Sequence, residues 1–272
     1  LGKKNIVFSI TGLGYLFSED INDNKFLRTL AKFLYKISLN HSNSRYIFQN
    51  NKDLNSIKKI INIDTKNLII IKGSGVDTNI FKPTNKKINS DFKVLMAGRL
   101  LKNKGVYEYL EASKIVKNRG FNIEFLLAGN VDDNPNSISN EELNDIKKSK
   151  HLNFLGLQKN IFQVLENVNI AVLPSYYGEG MPRFLLEASS CGKAIVTTNI
   201  EGCRECIINN ETGILVPPKN AKSIADAIIE LYRDRIKLEK FSNNARLYAL
   251  DNFDIKSVTE KHLKIYNSFN ND

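Results

Sequence analysis

The sequence predicts an α/β protein built from two Rossmann-like, doubly wound parallel sheets, the first of them incomplete. Three observations lead there. Beyond residue 83, short apolar and β-branched segments alternate with amphipathic helical ones, the pattern of a parallel sheet whose crossovers are helices. Glycine-bearing turns follow several of these segments, where a strand of such a sheet would open onto a ligand. A shorter set of strand and helix signals fills residues 5–71 and is set off by a Gly- and Pro-bearing stretch at 73–83.

Taken in order, residues 5–10 are apolar and β-branched and run into Thr11-Gly-Leu-Gly-Tyr15, a turn in which backbone approaches a partner closely. Along 25–39 the apolar Phe26, Leu27, Leu30, Phe33, Leu34 and Ile37 recur at helical spacing, interleaved with Lys25, Arg28, Lys32 and Lys36. This basic amphipathic helix packs by its apolar face or meets an anionic membrane; the two readings are compatible. A strand at Tyr46-Ile-Phe-Gln, a helix over 54–61 and a buried strand over 67–71 complete the first part. In the second part the expected strands are 93–97, 122–128, 152–155, 169–173, 194–197 and 213–216. The expected helices are 105–117, 141–148, 162–167, 182–191, 221–232 and 236–248, with a last helix over 255–269. The domain reading is therefore 1–73 as a partial first domain, 74–83 as linker, 84–253 as the complete second domain, and 254–272 as a helix returning to the first. Because residues 1–72 supply few strands for such a half, the sequence is read as lacking the start of its first domain, and poor activity is expected of it for that reason.

Composition narrows the function. The 272 residues are 42% hydrophobic and 25% charged, which excludes a disordered or fibrous chain. No apolar run approaches the roughly 18 residues that span a bilayer, and the opening Leu1-Gly-Lys-Lys has no signal-peptide layout. The expected location is the cytoplasm, peripheral at most to the cytoplasmic face of the membrane. Lys and Arg number 39 against 29 Asp and Glu, a net charge of +10. The excess is spread along a chain rich in Lys, Asn and Ile and forms no tract, so no nucleic-acid partner is expected. Cys191, Cys203 and Cys206 make an odd, sparse set, and the histidines at 41, 151 and 262 lie too far from Cys203-Arg-Glu-Cys206 to complete a zinc site. No metal is expected.

Ligands of doubly wound sheets sit beyond the carboxyl ends of the strands. After the first strand of the second domain comes Gly98-Arg-Leu-Leu-Lys-Asn-Lys-Gly105, where Arg99 and Lys104 can reach over a crevice and suit a diphosphate. After the fourth comes Pro174-Ser-Tyr-Tyr-Gly-Glu-Gly-Met-Pro-Arg-Phe-Leu-Leu-Glu187. Pro182 suits a first helical position, so the preceding residues lead into a helix N-terminus that attracts anions or hydroxyls. Glu187, flanked by Leu185, Leu186 and Ala188, reads as a buried carboxylate that needs a hydroxyl or cation partner.

Glu179 and Glu187, with seven residues between them, resemble the paired-glutamate motif of retaining GT-B glycosyltransferases of family 4. Gly73-Ser-Gly-Val-Asp77 with Phe81, Gly98-Arg99 with Lys104-Gly105, Phe154-Leu-Gly156, Ile200-Glu-Gly-Cys-Arg-Glu205 and Thr212-Gly-Ile-Leu-Val-Pro217 are similar to further blocks of that family, in the same order. The resemblance implies a GT-B fold and transfer of a hexose or N-acetylhexosamine, with retention, from a nucleotide diphosphate sugar, UDP-linked. It implies that Arg99 and Lys104, with Gly98, meet the diphosphate, that Glu187 holds the ribose and that Glu179 contacts the sugar. Backbone N–H groups in the turn Gly180 to Arg183, which includes Pro182 between Met181 and Arg183, would bind sugar and phosphate, and Gly156 and Leu157 would pack on the base through backbone contacts. Thr11, Gly12 and Gly14 occupy the N-terminal side of the cleft, where many relatives carry a His-Gly pair; Thr11 cannot act as an imidazole does. The loop 11–17 looks like that of enzymes building capsule, O-antigen or lipid-linked oligosaccharide, so the implied acceptor is a saccharide, free or on a polyprenyl diphosphate. No cofactor is implied, and the chain contains no Asp-x-Asp triplet, in keeping with metal-independent transfer. The alternatives are a nucleotide-sugar-binding module without transfer activity and a GT-B sugar-nucleotide epimerase.

Overall fold

The computed structural model describes residues 5–13, 25–84, 91–177 and 180–270. The first part contains β1 (Ile6–Ile10), α1 (Lys25–Leu39), β2 (Ser44–Phe48), α2 (Asn51–Lys58) and β3 (Leu68–Ile70). Its strands form a parallel sheet in the order β1-β2-β3.

The second part runs through β4 (Phe92–Ala97), α3 (Val106–Asn118), β5 (Ile123–Ala128), α4 (Asn140–Lys148), β6 (Asn153–Gly156), α5 (Ile161–Leu165), β7 (Ile170–Leu173), α6 (Arg183–Ser190), β8 (Ala194–Thr198), β9 (Gly213–Val216), α7 (Ala221–Arg233), α8 (Arg235–Phe253) and α9 (Ile255–Asn267). Its strands pair in parallel in the order β6-β5-β4-β7-β8-β9. The chain builds outward from β4 in one direction and then returns to place β7 on its other side. The order thus reverses between β4 and β7, where Val94 and Leu95 pair with Ile170 and Ala171, the place where such sheets bind ligands beyond their strand ends.

The central strands lack polar-apolar alternation because helices cover both faces; every residue of β7 and β8 is buried. Tyr109 of α3 is fully buried beneath this sheet, its hydroxyl 3.1 Å from the carbonyls of both Val94 and Leu126, so the one polar atom of a large core side chain is satisfied.

Helix ends follow local chemistry. Ser139 and Glu142 form a reciprocal capping box at α4. Asn50 caps α2 by accepting from the Asp53 N–H, which starts this helix at 51 where apolar spacing suggested 54. Helix α8 continues to Phe253 rather than stopping near 248, because Ala249 and Phe253, one turn apart, are both completely buried. Asp254 then caps α9.

Segment 74–83 is pinned in place. The Val76 N–H donates to the Phe253 carbonyl at 2.8 Å, and the Ile255 N–H donates to the Val76 carbonyl at 3.0 Å. Arg246 of α8 donates to the carbonyls of Phe81, Ser190 and Thr78. Helix α9 lies on the first sheet, where Val258 and Ile265 share a buried cluster with Ile47 of β2 and Ile71.

Helix α1 does not pack by its apolar face. Among its described side chains those turned inward are Ala31, Tyr35 and Leu39, and Tyr35 and Leu39 join the core of the first sheet. Phe26 is 78% exposed, and Leu30, Phe33, Leu34 and Ile37 are exposed as well. No helix among the described residues is long and apolar enough to cross a membrane.

Candidate functional site

At the reversal point the β4 and β7 loops touch. Gly105 has φ +82°, and a Cβ there would run into the Pro174 carbonyl, so glycine serves here to bring two loops together. The Tyr176 N–H and the Ser175 hydroxyl both donate to the Asn103 carbonyl, at 3.0 and 3.2 Å. Beside this junction lies a cleft of about 280 Å³ whose walls include Gly98, Arg99, Gly129, Leu157, Phe184 and Glu187. The side-chain stem of Lys104 passes Gly98, 4.0 Å from where a Cβ would stand. Gly156, at φ +68°, ends β6 with its carbonyl accepting from the Gly129 N–H at 2.9 Å, and open space where a Cβ would be. Leu157 follows at the cleft mouth, 67% exposed.

Glu187 is 8% exposed. Its carboxylate accepts from Arg183 Nε at 2.7 Å, one helical turn away, while the Arg183 side chain is itself largely in solvent. Burial pushes the Glu187 carboxyl above its ordinary range and the arginine partly opposes this. The cation that a buried carboxylate needs is thus supplied from within the helix. Roughly four acceptor sites surround a carboxylate, so one arginine bond leaves room for hydroxyl donors. Arg99 reaches Asp132 at 3.4 Å with its side chain more than half exposed, a long surface pair that holds the guanidinium loosely.

The start of α6 differs in detail from expectation. Pro182 is the N-cap, with φ −64° and ψ +114°, and the helix begins at Arg183; the proline φ suits both positions, and its extended ψ decides. No side chain of its own segment caps the helix. Instead the Met181 N–H donates to Gln49 Oε1, from the end of β2, at 3.3 Å. The buried Met181 side chain packs toward Gly73, 3.3 Å from the place of its Cβ. Gly180 lies against the first part of the chain: a Cβ on it would collide with the Thr11 carbonyl and stand 3.0 Å from Gln49 Oε1. Gly12 faces Gly180 from the other side, its own Cβ position 3.6 Å from the Gly180 nitrogen.

Of the residues singled out from sequence, Gly98, Arg99, Leu157 and Glu187 line one cleft, Gly156 directly precedes Leu157 and the Lys104 stem passes Gly98, and Gly180, Met181, Pro182 and Arg183 open the helix that carries Glu187. Thr11 and Gly12 meet that opening from the first part of the chain. Glu179 and Gly14 lie outside the described residues. Gln49 was missed, together with the residues that place it. Asn50 donates to Asp53 Oδ2 at 2.8 Å, and the Asp53 carboxylate also takes the Leu13 N–H. The strand-end rule that picked out the loops of the second sheet, applied to the strand ending at Gln49, would have found it.

The cysteines are packing residues in this structure. All three are buried and none is in a disulfide; burial pushes the Cys191 thiol up to about 12, and Cys206 donates to the Gly202 carbonyl. Among the described residues no group of three or more His, Cys, Asp or Glu could hold a metal ion.

Residues 77–248 match the family described as glycosyl transferases group 1. The chain belongs to this family. It is 32% identical over 269 residues to the N,N'-diacetylbacillosaminyl-diphospho-undecaprenol alpha-1,3-N-acetylgalactosaminyltransferase of Campylobacter jejuni, covering 94% of this chain and 69% of that one. It is 28% identical over 255 residues to the UDP-Gal:alpha-D-GlcNAc-diphosphoundecaprenol alpha-1,3-galactosyltransferase of Escherichia coli, covering 88% of this chain and 65% of that one. The crystal structure of HepE from Anabaena in complex with UDP superposes with a TM-score of 0.81 at 19% identity, covering 97% of this chain and 72% of that one. With two parallel sheets and this likeness, the fold of the group 1 glycosyltransferase is GT-B.

Proposed function

We propose that this group 1 glycosyltransferase binds a UDP-linked hexose or N-acetylhexosamine in the cleft between the β4 loop and α6 and transfers the sugar, with retention and without a metal ion, to a saccharide carried on a polyprenyl diphosphate. The observation that carries the reading is the buried Glu187 carboxylate facing Gly98 and Arg99 across a cleft at the strand-order reversal. A carboxylate there accepts from the two ribose hydroxyls. Arg99 and Lys104 meet the diphosphate and offset the charge that develops on it as the glycosidic bond breaks. The leaving diphosphate takes the acceptor proton on the same face, so no enzymic nucleophile is required. Leu157 gives the base an apolar surface and Glu179 contacts the sugar.

The acceptor class comes from the names of the Campylobacter and Escherichia relatives, and the exposed apolar stripe of α1, with Lys32 and Lys36 beside it, fits the anionic membrane that carries such an acceptor. The test is calorimetry with UDP, with and without EDTA, on the wild type, Glu187→Ala and Glu179→Ala. UDP binds the wild type equally in both buffers; Glu187→Ala weakens it, whereas Glu179→Ala spares UDP and lowers transfer. Loss of UDP binding in EDTA restored by magnesium, or equal loss in both variants, overturns the assignment.

A further inference from the structure

The start of α6 is held by groups from the other sheet. A helix leaves its first N–H groups without intrahelical partners, and here Met181, just ahead of the N-cap, gives its N–H to the side chain of Gln49 at 3.3 Å. The same Gln49 oxygen stands 3.0 Å from where a Gly180 Cβ would be, and the Thr11 carbonyl closes on the same point. Gln49 is itself held. It leaves β2 directly before Asn50, which is 3% exposed and bonded to Asp53, and Asp53 also takes the Leu13 N–H from the turn that carries Thr11 and Gly12. Lys52 ties this corner to Glu201 of the second part at 3.1 Å. This corner of the first sheet therefore presents an uncharged side chain, Gln49, to the backbone that the donor reading assigns to sugar and phosphate.

We infer that Gln49 is a donor-positioning residue: it holds the Met181 N–H in place and gives that N–H up when a nucleotide diphosphate enters. This rests on the donor-site reading above. Its chemistry explains the choice of side chain. A glutamine amide has an acceptor oxygen and a donor NH₂ on the same carbon. In this structure the oxygen accepts from Met181. When an anionic oxygen takes that N–H, the amide turns over and donates to the same oxygen. A carboxylate can fill the first role but repels the anion in the second, and an apolar side chain fills neither.

The experiment is calorimetry with UDP on the wild type, Gln49→Leu and Gln49→Glu at pH 8 and pH 5, each variant checked for an unchanged thermal transition. At pH 8 the Gln49→Glu variant binds UDP at least about tenfold more weakly than wild type, the scale of one hydrogen bond to a charged group, and more weakly than Gln49→Leu. At pH 5 its deficit relative to wild type shrinks, because an introduced carboxyl beside an anion has a raised pKa and regains a donor when protonated; that of Gln49→Leu does not. A merely structural role moves both variants together and leaves the ratio independent of pH, which overturns the inference. A Gln49→Glu variant equal to wild type at pH 8 does the same while leaving the donor site standing. A wild type that takes up no UDP overturns the donor reading and this inference with it.

Discussion

Replacing Glu187 by glutamine separates the cost of a buried charge from its use. The carboxylate is 8% exposed with one arginine partner, whose side chain lies largely in solvent. An exposed i,i+4 pair returns about 0.3–0.5 kcal/mol, less than burial takes, which is why the pKa is raised. The sign follows from linkage. A carboxyl with a folded pKa above its unfolded value favours the folded state when protonated, and that favour is lost as pH rises through the folded pKa. At neutral pH the charged group therefore costs stability, and Glu187→Gln, which keeps the shape and one oxygen for Arg183, should raise the thermal transition, by roughly 2–4 °C for each kcal/mol gained. The gain should shrink toward pH 4, where the wild-type group is protonated too. Binding should move the other way: a hydroxyl bonded to a charged acceptor is worth about 1 kcal/mol more than one bonded to a neutral acceptor, and two ribose hydroxyls make that about 2 kcal/mol, or roughly 30-fold in UDP affinity. Scanning calorimetry and titration calorimetry on the same preparations read both. A variant that melts lower and binds UDP as well as wild type would show that Glu187 exists to hold Arg183, and the donor reading would lose its main support.

Two further outcomes are expected. Gly105→Ala should lower the free energy of urea unfolding by about 2 kcal/mol or more, because the left-handed backbone there disfavours a side chain and the added carbon meets the Pro174 carbonyl; an unchanged midpoint would mean that the β4 and β7 loops are not held together at this point. Vesicles containing phosphatidylglycerol should sediment with the wild type at low salt, and Phe26→Ser combined with Phe33→Ser should reduce the bound fraction several-fold, since each phenylalanine contributes about 1.5–3 kcal/mol when buried. Binding unaffected by the double substitution would remove α1 as the contact.

Much of the architecture was legible because it depends on local pattern. Continuous apolar runs such as Ile170–Leu173 and helical stripes such as that of α7 announce a covered parallel sheet, and Arg99 and Glu187, which line one cleft, could be singled out as candidates because loops at strand ends are where such sheets bind ligands. Element ends were less legible. The stop of α8 at Phe253 depends on the burial of Ala249 and Phe253, and the start of α6 on the ψ of Pro182, neither of which periodicity carries.

By itself the sequence determined the order and type of the elements and the residue types lining the cleft, because periodicity, glycine placement and charge act over a few residues. Tertiary structure alone decided which distant groups meet. Glu187 finds its cation one turn away in Arg183, α1 turns Ala31, Tyr35 and Leu39 inward and leaves its apolar stripe to solvent, and Gln49, more than a hundred residues before Met181, supplies the acceptor at the start of α6. Such contacts are set by how two separately patterned sheets come to rest against each other, and no spacing within either one encodes the distance between them.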